Sequence, residues 1–362
     1  MQISDISKII TNKVNGCELS NENYISTENM LPNCGGVTTA SSVPTTKVTS
    51  FLDGDVLLSN IRPYFKKVWF ARFNGGCSND VICLRADKNK CLPQYLYYTL
   101  STDKFIDSFS ASSKGTKMPR GDKNALLSYD FPERSIEEQL YIVDILGTLD
   151  EKIENNNKKA EYYEQLMLQY FVLMLAEQNE NWEESTLTKI AIYTNGLAMQ
   201  KYRPDGEEFL PVIKIKELSQ GIPDSNSEKA TPYLDERFIV DNGDIIFSWS
   251  GTLMVKIWCG GKGGLNQHLF KVTSSRYEPW FIYLWTKFHL EKFQNIAKGK
   301  AVTMGHIKRE DLDKSSVYIP SSNAMEKYHS LINPLYKGIV ETKVENQKLA
   351  ELKQLYLKKF FG

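Results

Sequence analysis

The sequence predicts an α+β chain: two copies of one small, strongly curved mixed domain, each followed by a long helix, with the two helices paired as an antiparallel coiled coil. Three observations predict it. The chain repeats itself at an offset near 188 residues. Each copy ends in a proline followed by a helix-capping sequence. Each cap opens a long stretch whose apolar residues alternate at four- and three-residue spacing.

The repeat is carried by three patches in one order. Leu52-Asp53-Gly54-Asp55-Val56-Leu57-Leu58-Ser59 returns as Asp241-Asn242-Gly243-Asp244-Ile245-Ile246-Phe247-Ser248, at an offset of 189. Tyr24-Ile25-Ser26-Thr27-Glu28-Asn29-Met30 lies opposite Val212-Ile213-Lys214-Ile215-Lys216-Glu217-Leu218 at 188. Tyr129-Asp130-Phe131-Pro132 matches Val317-Tyr318-Ile319-Pro320, also at 188. One shared Gly-Asp would carry no weight; three ordered patches mark a duplicated domain.

The elements follow in chain order as arm, helix, arm, helix. The first arm, residues 1–134, holds short β-type runs such as Val56-Leu57-Leu58, Lys67-Val68-Trp69-Phe70 and Val81-Ile82-Cys83-Leu84 between Gly/Asn/Asp turns. A helical stretch from Pro93 to Phe109 follows, then a basic loop, Ser113-Lys114-Gly115-Thr116-Lys117-Met118-Pro119-Arg120. The central helix, residues 135–178, opens on Ser135-Ile136-Glu137-Glu138, where hydroxyl and carboxylate can each satisfy the other's backbone amide. Its seam runs Ile142, Leu146, Leu149, Ile153, Asn156, Ala160, Tyr163, Met167, Tyr170, Met174. The second arm, residues 179–322, opens at Trp182, an opening that the first arm lacks. It repeats the strand Ile245-Ile246-Phe247, a helical stretch from Pro279 to Phe293, and a loop from Lys298 to His306. Gly260-Gly261-Lys262-Gly263-Gly264 reads as a flexible loop. The last helix, residues 323–362, opens on Asn323-Ala324-Met325-Glu326, which can cap as Ser135 does. Its seam runs Ile332, Leu335, Ile339, Thr342, Asn346, Leu349, then slips through Leu352 and Tyr356 to Phe360. Asn156 and Asn346 occupy equivalent seam positions, where a buried Asn lowers stability and fixes register.

Charge supports the pairing. Residues 132–180 carry 4 basic and 11 acidic side chains, and residues 320–362 carry 7 basic and 4 acidic, so the two helices attract each other and repel their own copies. Across the whole chain Lys+Arg and Asp+Glu both number 44, so any nucleic-acid surface must be local. Hydrophobic residues at 41% and charged residues at 24% fit a folded globular protein rather than a disordered one. No run reaches the ~18 apolar residues of a membrane span, and no secretory signal opens the chain. Six irregularly spaced cysteines read as reduced thiols, which points to the cytoplasm.

Several chemistries are missing their residues. The four histidines show no metal-ligand spacing and no Cys-x-x-Cys occurs, so no metal is expected. No Walker A sequence and no Asn-Pro-Pro-aromatic run is present. Pro204-Asp205 is followed by Lys214-Ile215-Lys216, without the acid that a metal-dependent nuclease needs two residues before its lysine. The expectation is a chain with no catalytic residues and no cofactor of its own.

The duplicated Gly-Asp-hydrophobic-x-x-Ser motif, Pro211-Val212-Ile213-Lys214-Ile215-Lys216-Glu217-Leu218, the lysine–glycine loops and the Pro-to-long-helix junctions with their Asn-bearing seams resemble the specificity subunit of type I restriction–modification systems. The resemblance covers essentially the entire chain. It implies two target-recognition domains, each reading a few base pairs of double-stranded DNA in the major groove. It further implies paired helices that set the gap between half-sites and dock two methyltransferase subunits. The chain would then be the non-catalytic reader of an adenine-N6 methyltransferase complex, with S-adenosylmethionine on the methyltransferase and restriction/translocase subunits as a further partner left open. Two alternatives stay beside it: the recognition subunit of a combined cut-and-modify system, and a coiled-coil scaffold that binds protein.

Residue chemistry, not the resemblance, supplies the DNA-contact candidates, because phosphates take Lys/Arg and base edges take Arg, Asn, Gln, Ser and aromatic neighbours. In the first arm these are Arg62, Tyr64, Lys66, Lys67, Lys117 and Arg120. In the second they are Ser250, Thr252, Lys256, Lys298, Lys300, Thr303 and His306. Each lysine equally fits a solvated surface charge; Tyr64 also fits the core, and Trp249 is expected there.

Overall fold

The computed structural model describes residues 1–299 and 305–362. Lys300 and Thr303 lie outside the described residues. The chain divides into two compact units, Met1–Lys152 with Ala350–Gly362, and Ile153–Leu349.

The first unit is built on two four-stranded sheets. One orders Ser7–Ile9, Val81–Ala86, Val56–Ser59 and Val68–Phe70, antiparallel throughout. The other orders Lys13–Asn15, Lys47–Phe51, Gly75–Cys77 and Tyr24–Ile25, the last pair being parallel. Two helices, Pro93–Leu100 and Asp103–Ala111, occupy the stretch expected to be helical and pack on the first sheet. The break has a local cause: the Thr102 hydroxyl accepts the Phe105 N–H at 3.2 Å and starts a new helix. Ile142 and Leu146 of the central helix and Leu357 and Phe361 of the C-terminal helix complete this core.

The second unit repeats the plan. Ile192–Asn195, Leu269–Thr273, Ile245–Ser248 and Met254–Ile257 form its antiparallel sheet. Lys229–Ala230, Leu210–Ile213, Gly263–Leu265 and Ile239–Val240 form the other. The registers coincide: Tyr24 lies across from Gly76 in a parallel pair, as Val212 lies across from Gly264. Gly263 and Gly264 are therefore strand residues, not part of a flexible loop. A Cβ on Gly263 would come within 2.5 Å of the Ile213 side chain, and one on Gly75 within 2.1 Å of the Asn23 carbonyl oxygen.

The Gly-Asp motif has the same geometry twice. Gly54 and Gly243 turn at φ +86° and +93°, a conformation open to glycine without a Cβ penalty. The following aspartate ties the turn: Asp55 Oδ2 accepts the Leu52 N–H at 2.8 Å, and Asp244 Oδ2 accepts the Asp241 N–H at 2.7 Å. Asp55 is 1% exposed and takes two 2.7 Å hydrogen bonds from Arg85; Asp244 pairs with Lys271 at 2.8 Å. At the far end of the strand the Ser59 hydroxyl donates to the Ile61 carbonyl, and Ser248 donates to the Ser250 carbonyl, at 3.0 and 3.2 Å. The motif thus starts a core strand and fixes the loop beyond it.

The central helix spans Ile136–Ala176 and the C-terminal helix Ser322–Phe361. The Ser135–Glu138 box forms, with bonds of 2.9 and 3.2 Å. The Asn323–Glu326 box does not match the structure: the helix begins at Ser322, and the Ser321 carbonyl accepts the Met325 N–H, so Asn323 is already inside the first turn. In the second unit Glu177 pairs with Lys327 and Asn156 with Asn346; in the first, Asp150 pairs with Lys353 and Tyr141 meets Phe360. In each unit the partner's number rises as the other's falls, so the helices run antiparallel. Every expected seam residue of the central helix is buried or half-buried. Leu352 is not on the seam: it is exposed, and Lys353 and Leu357 turn inward in its place. No helix among the described residues is long and apolar enough to cross a membrane.

Candidate nucleic-acid interface

In the first arm, residues 60–67 connect the strands Val56–Ser59 and Val68–Phe70, and residues 113–121 close over them. Ile61 and Lys114 each form a β-bridge with Arg120. The Arg62 N–H donates to the Pro119 carbonyl at 2.8 Å, and the Gly121 N–H to the Asn60 carbonyl at 3.1 Å. The Arg62 guanidinium reaches the Lys117 carbonyl at 3.3 Å. Arg62, Tyr64, Lys117 and Arg120, proposed separately from sequence, therefore share one surface, all four exposed. Arg120 is partly committed to Asp80 at 3.2 Å.

Lys66 and Lys67 sit at the end of the same loop but are used internally. Lys66 pairs with Asp103 at 2.7 Å. Lys67 donates to the Thr27 carbonyl at 2.6 Å; burial pushes its pKa down, with Glu28 acting the other way. Sequence reasoning passed over Phe65 and Met118, both exposed here, although each adjoins a chosen residue. It also passed over a polar groove of about 450 Å³ lined by Ser26, Thr27, Thr38, Ser41, Ser78 and Asp80. The motif opposite Val212-Ile213-Lys214 supplies part of that wall.

The loop is strained in one place. Among the described residues the non-glycine positions with positive φ are Asn33, Cys34, Arg62 and Lys66, at +55°, +55°, +49° and +53°. Asn33 and Cys34 meet the end of the loop: the Asn33 N–H donates to the Phe65 carbonyl at 3.0 Å and the Cys34 N–H to the Lys66 carbonyl at 2.9 Å. Each left-handed residue costs roughly 1–2 kcal/mol. Four gathered around one exposed loop mark a shape that the surrounding contacts impose.

The second arm repeats the loop pair. Ser250 and His306 form the bridge that Ile61 and Arg120 form in the first arm. The Gly251 N–H donates to the Gly305 carbonyl and the Ile307 N–H to the Trp249 carbonyl, both at 3.2 Å. Thr252 and Lys298 line an open cleft of about 520 Å³ with Gln294 and Gly305. Ser250 is buried, so its position is structural at least through its backbone. Lys256 is elsewhere: it donates to the Ser219 carbonyl at 2.8 Å and faces Lys343 and Glu164 of the long helices. Burial, with Lys343 next, pushes its pKa down. Trp249 is half-buried rather than core. It stacks on Phe270 at 5.7 Å, donates from Nε1 to Asn195 Oδ1 at 3.0 Å, and lies 6.3 Å from the His306 ring.

Each arm thus carries two loops bonded through their backbones; the first bears Arg62, Tyr64, Lys117 and Arg120, and the second, among the described residues, bears Trp249, Thr252 and His306 beside Lys298 of the adjoining helix. That set can hold phosphates and hydrogen-bond base edges, and its backbone bracing fixes where each group points.

Comparison with known proteins gives the same answer for both halves. Residues 1–163 and 179–354 match the type I restriction modification DNA specificity domain. The type I restriction enzyme MjaIX specificity subunit of Methanocaldococcus jannaschii is 25% identical over 307 residues, covering 76% of this chain and 70% of that protein. The type I restriction–modification S subunit from M. genitalium shares the fold at a TM-score of 0.59 and 16% identity, over 100% of this chain and 95% of that one. With two copies of that domain spanning nearly all its length, the chain belongs to the DNA specificity subunits of type I restriction–modification systems.

Proposed function

We propose that the chain reads a bipartite site in double-stranded DNA, one half-site per arm, and delivers a methyltransferase to it. The observation that carries this reading is the doubled loop pair, Ile61 with Arg120 and Ser250 with His306, on a duplicated scaffold. Two equivalent surfaces, each with its own cations and its own core, suit two independent readings better than one. The paired helices dock two methyltransferase subunits, which carry S-adenosylmethionine and transfer its methyl group to adenine N6 in the cytoplasm. The chain itself supplies affinity and sequence choice, and no bond-making step is assigned to it.

Exchange of residues 1–131 for another arm of the same type tests the reading. Mapping methylated sites in cells that also express the methyltransferase should show one half of the site replaced and the other half kept. Loss of both halves would sink the modular reading. Binding should also fall steeply between about 50 and 200 mM salt, as phosphate contacts require; salt-insensitive association would favour a protein-binding scaffold.

A further inference from the structure

We infer that Tyr64 and Phe65 form an aromatic wedge that the first arm presses into a base step of its half-site, partly unstacking it, so that recognition there includes the deformability of the DNA. This rests on the reading of the loop pairs as DNA-facing.

Three observations converge on it. Tyr64 and Phe65 are 56% and 40% exposed, with ring centroids 4.9 Å apart, and Met118 stands exposed on the facing loop. Arg62, Lys117 and Arg120 are exposed on the same two bonded loops. Exposed aromatic rings sharing their loops with cations suit a duplex, whose phosphates take the cations while apolar side chains wedge between bases.

The backbone is built to hold the rings against resistance. Arg62 and Lys66 flank the turn Pro63–Phe65 in left-handed conformations, and the backbone of Asn33 and Cys34 braces its far side. Pro63 removes one further torsional freedom. A loose loop would fold back before separating stacked bases, whereas this one is cross-tied on two sides.

The second arm provides the contrast. Its equivalent connection, residues 249–253, is shorter than residues 60–67, and its aromatic ring is turned inward: Trp249 is held by Phe270 and Asn195. The wedge belongs to one half-site only. The deformable pyrimidine–purine steps are the ones it would select.

The test uses the complex assembled with its methyltransferase and a duplex carrying the site found by methylation mapping. 2-Aminopurine is placed at each position of the first half-site in turn. Binding should raise its fluorescence severalfold at one step, and the Tyr64→Ala/Phe65→Ala variant should abolish the rise. The same variant should relax sequence preference at that step by about tenfold and leave the second half-site as selective as before. If the double variant melts early, Tyr64→Ser alone carries the test, since that ring is the more exposed. No unstacked step in the unaltered complex, or a variant with unaltered fluorescence and preference, overturns the wedge. Arg62→Glu/Lys117→Glu separates the two levels. If this variant loses binding while the aromatic variant reads normally, the wedge fails and the DNA-facing surface stands. If the charge variant also binds and reads normally, both fall.

Discussion

Asn156 is the residue on which the helix pair turns. It is 4% exposed, and its amide donates to Glu345 at 2.7 Å and to Asn346 Oδ1 at 2.9 Å; Asn346 in turn donates to the Ile153 carbonyl at 3.2 Å and to Asn157 at 2.9 Å. A leucine pair would bury more apolar surface, but it would also fit other registers. Asn156→Ala should therefore lower stability by about 1–3 kcal/mol, because the Asn346 oxygen loses the donor it faces. Asn156→Leu with Asn346→Leu should recover stability and lose positional definition, read as a higher melting temperature with broadened exchange of the seam amides. An undiminished melting temperature in Asn156→Ala would show that this network contributes nothing. The Asn pair was legible in the sequence because a polar residue recurring inside an apolar period stands out. The state of the cations was not. Lys66, Lys67, Lys117 and Arg120 look alike as letters, and only tertiary partners such as Asp103, the Thr27 carbonyl and Asp80 separate the committed from the free-standing.

At the scale of elements, the second arm is tied to the central helix through Glu164, which accepts from both Tyr283 and Lys287. Burial raises the Glu164 pKa, but Lys287, Tyr283 and Lys343 outweigh it and hold the carboxyl below its ordinary value of 4.5. A depressed folded pKa means that this stabilisation is present above the unfolded value and is lost as pH falls through the folded one. Melting temperature should therefore decline as pH is taken below 4.5, and Lys287→Met should flatten that decline while lowering stability near pH 7. An identical acid profile in the variant would remove Glu164 from the account. Among the elements, strands and long helices were readable from period and turn residues. The helix starts were less so: Ser135 caps as its spacing suggests, whereas Asn323 is bypassed because the chain turns helical at Ser322. A capping box states what can bond, and the preceding backbone decides where the turn begins. Gly263 and Gly264 were misjudged for a related reason, since composition alone cannot distinguish a glycine chosen for freedom from one chosen for close packing.

For the whole molecule the order of units differs from the order of the sequence. The first unit needs Ala350–Gly362, and Leu357 and Phe361 are buried in its core, the Phe361 ring 5.3 Å from Tyr95. Deleting residues 356–362 should cost the first unit on the order of 4 kcal/mol or more through two lost core side chains. Hydrogen exchange should then quicken in residues 1–152 and stay unaltered in residues 153–349; equal quickening in both would contradict the division. Duplication made the fold legible from one sequence, since each arm serves as the other's control, but no periodicity could reveal that the last three turns of helix belong to the first unit. The consequence reaches into biosynthesis. About 200 residues separate Lys152 from Ala350, so at roughly 5–20 residues per second the ribosome needs on the order of 10–40 s to deliver the missing piece. Through that interval the Tyr95 ring lacks its Phe361 partner, and the core lacks Leu357, while residues 153–349 emerge as one continuous segment. The arm that is made first is finished last, and it is the one a nascent-chain chaperone would meet.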